Sequence, residues 1–153
     1  MKELILSPEE IYYIGKVSGG KYLDYDYIAA MQDIGKRGKI KAQEILDGLE
    51  RKGYAEEDFL GNLEVEPACI EILQPLYQGM YESELILREE SGASVHYKFH
   101  HMENRITSVE CHAQEYRVRA QDKEGIEKML YSLLEEDVHT GEREAYIAID
   151  QAE

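Results

Sequence analysis

Residues 39–67 constrain the fold more than any other part of the chain, because they predict a helix followed by a two-stranded ribbon. The helix carries apolar residues at helical spacing, namely Ile45, Leu46 and Leu49. Gly53 ends it, since glycine adopts the left-handed conformation without a Cβ clash. A strand then begins at Tyr54, residues 61–62 form a tight turn, and a second strand ends before Pro67. A helix that leads into a ribbon in this way is typical of a winged-helix unit.

Two further helices are predicted before this stretch, and they complete the winged-helix order. The first begins at a capping signal, in which a serine, a proline and a glutamate stand at the expected spacing: Ser7, Pro8 and Glu10. The second is predicted to begin after Asp24 or Asp26 and to end at Gly35. After the ribbon, residues 68–77 predict a helix that Pro75 kinks or ends early.

The second half of the chain changes to the alternating pattern of strands. Four strands with short connections are predicted, as in an antiparallel meander, over residues 81–89, 94–100, 105–111 and 116–120. An amphipathic helix follows Asp122 and is predicted to cover the sheet. The core beneath it is expected to contain Val95, Tyr97 and Phe99.

The predicted fold class is α+β, with a winged-helix-like helical unit followed by a four-stranded antiparallel sheet that a C-terminal helix covers. The helical unit occupies residues 1–79 and the sheet with its helix residues 80–136, and we expect one compact domain overall. The remaining residues 137–153 form an acidic tail. Within the tail, residues 145–149 are apolar and predict an edge strand or a partner-binding strand.

Charge and hydropathy disfavour several classes of partner. The 153 residues include 32 acidic and 17 basic side chains, for a net charge of −15. A field of that sign repels phosphate backbones, so binding to nucleic acid is disfavoured. No apolar run approaches the ~18 residues of a membrane span, and the first residues become acidic too soon for a signal peptide. We therefore expect a cytoplasmic protein that contacts no membrane.

The usual signatures of catalysis, metal binding and cofactor binding are absent from the sequence. His96 and His100 stand about 13 Å apart on an extended strand, too far to share one metal ion. No HExxH, CxxC, GxSxG or glycine-rich phosphate loop occurs. Cys69 and Cys111 are predicted to be small buried apolar residues. The sequence predicts no enzyme, no metal and no cofactor.

Two cationic groups are candidates for binding. The polar face of the sheet is predicted to carry a cationic strip, which is either a partner-facing surface or an ordinary solvated face: His96, Lys98, His100, Arg117 and Arg119. The other group precedes the third helix and favours the alternative of a winged-helix DNA-binding transcriptional regulator: Lys36, Arg37, Lys39 and Lys41. The acidic ribbon opposes that alternative, because a DNA-binding wing normally presents cations to phosphate.

The order of elements resembles the EspG-like proteins of type VII (ESX) secretion loci in Gram-positive bacteria. Three segments carry the resemblance: LSPEEIYYIGKVSGGKYL at residues 6–23, ILDGLERKGY with GNLEVEP at residues 45–54 and 61–67, and YRVRAQDKEGIEKMLYSLL at residues 116–134. The resemblance implies a cytoplasmic chaperone or adaptor that keeps a secretion substrate soluble and targets it for export. The partner would be a secreted helical protein or toxin, WXG100-like or of the LXG-toxin type, and the oligomeric state stays open between monomer and homodimer. The expected contact surface is the polar sheet face with residues 90–94.

Overall fold

The computed structural model describes residues 3–20, 39–79, 81–89, 92, 94–112, 115–140 and 143–151. These residues form an α+β fold with the following elements: β1 Glu3–Leu6, α1 Pro8–Val17, α2 Lys39–Arg51, β2 Ala55–Glu57, β3 Leu63–Val65, α3 Pro67–Gln78, β4 Tyr81–Glu89, β5 Ser94–Met102, β6 Arg105–His112, β7 Glu115–Gln121, α4 Lys123–Thr140 and β8 Arg143–Gln151. The predicted second helix and the cations Lys36 and Arg37 lie outside the described residues.

Within the described part of the chain, the large sheet has six antiparallel strands in the order β1-β7-β6-β5-β4-β8, so the predicted four-stranded sheet is wrong. The four predicted strands form its centre. Strand β1 adds beside β7, with Leu4 opposite Val118, and β8 adds beside β4, with Ile147 opposite Leu85. The apolar stretch at residues 145–149 therefore lies in an edge strand. The other edge strand, β1, was not predicted.

The local signals around the first helices are confirmed. Ser7 Oγ accepts a hydrogen bond from Glu10 N at 3.2 Å, and Glu10 Oε1 accepts one from Ser7 N at 2.8 Å, which is the predicted capping box. Gly53 follows α2 with φ +77°, the left-handed conformation that ends a helix. Lys52 Nζ lies 2.6 Å from the buried Glu10 carboxylate and so joins the end of α2 to α1.

The winged-helix arrangement predicted for residues 1–79 is not matched. Helix α2 does lead into an antiparallel ribbon, β2 and β3, and α1 packs against α2. However, β1 of the same half belongs to the large sheet, and the ribbon strands are joined by five residues, 58–62, rather than by a two-residue turn. The first half thus shares its sheet with the second half.

The sheet carries a core on each face. On one face α1 packs against β1 and α3 against β5, β6 and β7. Ile45 and Leu49 of α2 belong to the same core, in which Leu4, Val109 and Val118 are fully buried. On the other face Ile126, Met129 and Leu130 of α4 pack against an apolar cluster on β4 and β5: Leu85, Leu87, Tyr97 and Phe99, with Val95 at its edge. The predicted core of Val95, Tyr97 and Phe99 beneath the last helix is confirmed.

Helix α3 continues through Pro75 to Gln78 because side chains of the sheet donate hydrogen bonds to carbonyl groups in the turn before the proline. Proline has no N–H, so the carbonyl of Glu71 four residues earlier loses its helical hydrogen bond. The guanidinium of Arg105 on β6 donates to Glu71 O and, at 2.6 Å, to Gln74 Oε1. Thr107 Oγ1 on the same strand donates to Ile72 O at 2.6 Å. These bonds attach α3 to the sheet at the point where a kink or an early end was predicted.

Candidate interaction site

The five residues of the predicted cationic strip do not share a face. His96, Lys98 and His100 alternate along β5 and lie on one face of the sheet. Lys98 is opposite Val109, which is opposite Val118, so the face that holds Lys98 also holds Val118. Arg117 and Arg119 flank Val118 and therefore project from the other face. The predicted strip of five cations is wrong.

Lys98 and His100 are buried, with only 1% and 4% of their surface exposed. Lys98 Nζ lies 3.9 Å from Glu82 Oε1 and 3.8 Å from Glu84 Oε1. His96 Nε2 lies 3.6 Å from the same oxygen of Glu84. We call Glu82, Glu84, His96 and Lys98 the buried ionic cluster after its buried member Lys98, since the other three side chains keep exposures of 26%, 27% and 30%. A cation enclosed in this way compensates carboxylates within the fold and is not available to a partner.

The two arginines occupy an exposed part of the opposite face. Arg119 Nε donates to Glu3 Oε2 at 2.6 Å, and Arg117 is opposite Glu110 in the register. Each cation thus stands near a carboxylate of a neighbouring strand. An exposed pair such as Arg119–Glu3 contributes little to stability.

Among the side chains that the structure describes, the most exposed large apolar ones lie elsewhere, in the loop between β2 and β3. Phe59 and Leu60 have relative exposures of 109% and 86%. We call residues 58–62 the ribbon tip. These two residues are not among the predicted binding residues. The available signal was a pair of large apolar residues inside a segment that could only be a turn at the surface.

The ribbon tip is held in one conformation by its own hydrogen bonds. Asp58 Oδ1 accepts from Leu60 N at 2.9 Å and from Asn62 N at 2.8 Å. Asp58 N donates to Asn62 O at 2.8 Å, and Gly61, with φ +81°, donates to Asp58 O at 3.1 Å. Because its backbone is already ordered, the ribbon tip loses less conformational entropy when a partner covers Phe59 and Leu60.

Carboxylates surround the ribbon tip. Glu56 and Glu57 on β2 and Glu64 on β3 are exposed, and Glu56 lies directly opposite Glu64 in the register. Like charges in directly opposed positions destabilise a strand pair. A cation placed between them from outside would remove that repulsion.

Thiol and metal chemistry have no support in the described part of the chain. Cys69 is fully buried, and burial, followed by the nearby Glu66 charge, raises the pKa of its thiol to about 11. Cys111 is only partly buried. No group of three or more His, Cys, Asp or Glu residues is positioned for a metal ion among the residues that the structure describes.

We expect Cys69 to resist alkylation in the native protein, because the thiolate is the reactive form and a pKa of about 11 leaves little of it at pH 8. Cys111, with part of its surface exposed, should be modified first. Mass spectrometry of peptides after timed iodoacetamide treatment measures both rates, and unfolding in urea should make them similar. Equal rates in the native protein would contradict the buried position of Cys69.

The helices and the sequence comparisons add two findings. Within the described residues, no helix has both the length and the apolar character that crossing a bilayer requires. No protein-family model matches the sequence, and no curated protein matches it either.

Proposed function

We propose that this chain is a chaperone or adaptor that binds a secreted helical protein or toxin and keeps it soluble for export. The observation that carries the proposal is the ribbon tip, where Phe59 and Leu60 are exposed on an ordered loop. The resemblance to EspG-like proteins of type VII secretion loci supports the partner class, WXG100-like or of the LXG-toxin type. A cytoplasmic location fits a protein that meets its substrate before export.

The energetics support a protein partner. Full burial of a Phe or Leu side chain is worth about 1.5–3 kcal/mol, so the tip can supply about 3–6 kcal/mol of gross binding free energy. Association itself costs several kcal/mol in lost translational and rotational freedom. The tip alone therefore gives weak binding, and we expect charge complementarity and further contacts to supply the rest.

The alternative of a DNA-binding regulator finds less support. Helix α2, the third helix of the predicted winged unit, exposes three carboxylates: Glu44, Asp47 and Glu50. The ribbon adds Glu56, Glu57 and Glu64. Docking this surface on a duplex would bring carboxylates close to phosphates. Such contacts release no counterions from the duplex, so they do not favour binding.

Co-expression with a WXG100-like or LXG-type protein tests the proposal. We expect a soluble stoichiometric complex in size-exclusion chromatography with light scattering, and a larger soluble fraction of the partner than when it is expressed alone. The uncomplexed chain should flow through a heparin column at low salt. Separate elution of the two proteins with unchanged partner solubility would refute the adaptor, and salt-sensitive retention on heparin would favour the DNA-binding alternative.

A further inference from the structure

We infer that the partner element received by the ribbon tip is a basic amphipathic helix, whose apolar stripe contacts Phe59 and Leu60 while its flanking Lys or Arg side chains meet the ribbon glutamates. The inference rests on the proposed function, since it specifies the chemistry of the partner at the site that carries that proposal. It commits to one class of partner, and other occupants of the tip are outcomes of the test.

The apolar part of the site is small and projects from the surface. Phe59 and Leu60 are neighbours, and both side chains stand in solvent. A contact of two adjacent side chains suits the apolar stripe of an amphipathic helix, which occupies roughly 100° of the helix circumference. The hydrogen bonds from Asp58 Oδ1 hold the loop, so the apolar pair is presented without prior rearrangement.

The charged part of the site selects a cationic partner. Residues 55–65 include four carboxylates and no lysine or arginine: Glu56, Glu57, Asp58 and Glu64. Two of them, Glu56 and Glu64, lie opposite each other with the repulsion that such a pair produces. Cations beside the partner's apolar stripe would offset that repulsion while the tip is covered. An anionic lipid surface or a nucleic acid would itself be repelled by these carboxylates.

A helix brings the two kinds of group together at the required spacing. In an amphipathic helix, an apolar stripe at positions i, i+3, i+4 and i+7 runs between polar flanks, so lysines on both flanks lie within one helix width of the stripe. The two strands of the ribbon are about 4.8 Å apart. The carboxylates of Glu56 and Glu64, which lie opposite each other in the register, are thus placed to pair with cations on one flank of a helix whose apolar stripe covers the tip.

The test uses a fluorescent tip, because the chain contains no tryptophan. The variant Phe59→Trp is titrated with a synthetic helical peptide of about 18 residues that has a leucine stripe and lysine flanks. We expect a blue shift of the tryptophan emission and protection from acrylamide quenching. A matched peptide with glutamate flanks should give no shift. Tyr131→Trp, placed at a residue of α4 with 68% exposure, is the control for a remote surface.

Three double variants measure separately how much the apolar side chains and the carboxylates of the tip contribute to peptide binding. The double variant Phe59→Ser/Leu60→Ser retains the net charge, and we expect it to bind the lysine peptide about tenfold more weakly. The pair Glu56→Gln/Glu64→Gln should weaken binding about fivefold and reduce its dependence on salt. The pair Glu124→Gln/Glu127→Gln on α4 removes the same charge far from the tip, and its effect should stay below about twofold.

Several outcomes would overturn the inference. Equal affinity of the double-serine variant would show that net charge alone attracts the peptide, and a blue shift with zwitterionic lipid vesicles would assign the tip to lipid. No binding of the lysine peptide would overturn it directly. If the double-serine variant still forms the soluble complex with a secreted partner, this inference fails while the proposed function stands. If the peptide binds the tip but no soluble complex with a secreted partner forms, the proposed function fails while the tip's preference for a basic helix stands.

Discussion

Replacement of Lys98 by alanine should lower the free energy of unfolding by about 3 kcal/mol. The ammonium group is 1% exposed and lies within 4 Å of the carboxylates of Glu82 and Glu84. Its removal leaves a cavity and places two like charges on the same face of β4 without the cation between them. The side chains of Glu82 and Glu84 retain 26% and 27% exposure, so water compensates part of the loss, and we take the lower end of the range for broken buried pairs.

Urea denaturation followed by circular dichroism measures the effect of Lys98→Ala. Lys128→Ala is the matched control, since Lys128 pairs with Glu124 on the solvent face of α4 at 76% exposure and its loss should change stability by less than about 0.5 kcal/mol. Adding Glu82→Gln and Glu84→Gln to Lys98→Ala should restore part of the stability. A loss below about 1 kcal/mol for Lys98→Ala would contradict the buried ionic cluster.

Replacement of Gly79 by alanine should also lower the free energy of unfolding, by about 3 kcal/mol. A Cβ atom at this position would lie 2.2 Å from Pro75 O and 3.0 Å from His101 O. Both contacts are to backbone atoms, so no side-chain rotation can relieve them. The end of α3 and strand β5 would have to separate, and the buried contacts on either side would be loosened.

Gly48→Ala is a control that should slightly raise the free energy of unfolding instead of lowering it. Gly48 lies inside α2, where a Cβ would meet Glu10 Oε2 at 3.5 Å, an ordinary contact distance. Alanine is favoured over glycine within a helix by up to about 1 kcal/mol, so this variant should be slightly more stable than the parent. The same urea titrations measure both changes. Equal stability of Gly79→Ala and the parent would show that α3 ends differently in solution.

Elements with strong local signals were predicted well. The capping box at Ser7 and Glu10 involves residues three positions apart, so the pattern contains the whole interaction. Gly53 ends α2 for an equally local reason, since only its own backbone conformation is involved. The alternation of Tyr97 and Phe99 also predicted their burial correctly, because α4 covers the face on which they lie.

Which residues share a face of the sheet was predicted less well. The alternation of residues within one strand does not show how that strand is aligned with its neighbour. Pairing across the turn at Glu103 places Met102 opposite Arg105, and this register puts Lys98 opposite Val109. Tyr97 and Phe99 of β5 therefore face the side of the sheet opposite to Val109 of β6. The prediction assumed a single apolar face, so Lys98 was assigned to solvent. Counting residues across the turn would have revealed the mismatch.

Strand β1 was not predicted and the ribbon tip was predicted with the wrong length, for two different reasons. The four residues of β1 carry too short a pattern to distinguish a strand from a loop, and their partner β7 is remote in the chain. In the ribbon tip, the five-residue loop was predicted as a two-residue turn, which left Phe59 and Leu60 within the ribbon rather than at its end. What such residues bind depends on a second molecule, and the sequence of one chain does not contain it.

The positions of β1 and β8 at opposite edges of the large sheet determine how that sheet can assemble. Strands β4 to β7 are joined by short hairpins, so their contacts close small loops and can form early. Strand β1 reaches β7 only by closing a loop across 116 positions, the separation between Glu3 and Arg119, and the loop-closure entropy grows with that length. The central meander can therefore serve as the folding template, on which the two edge strands and their helices condense later.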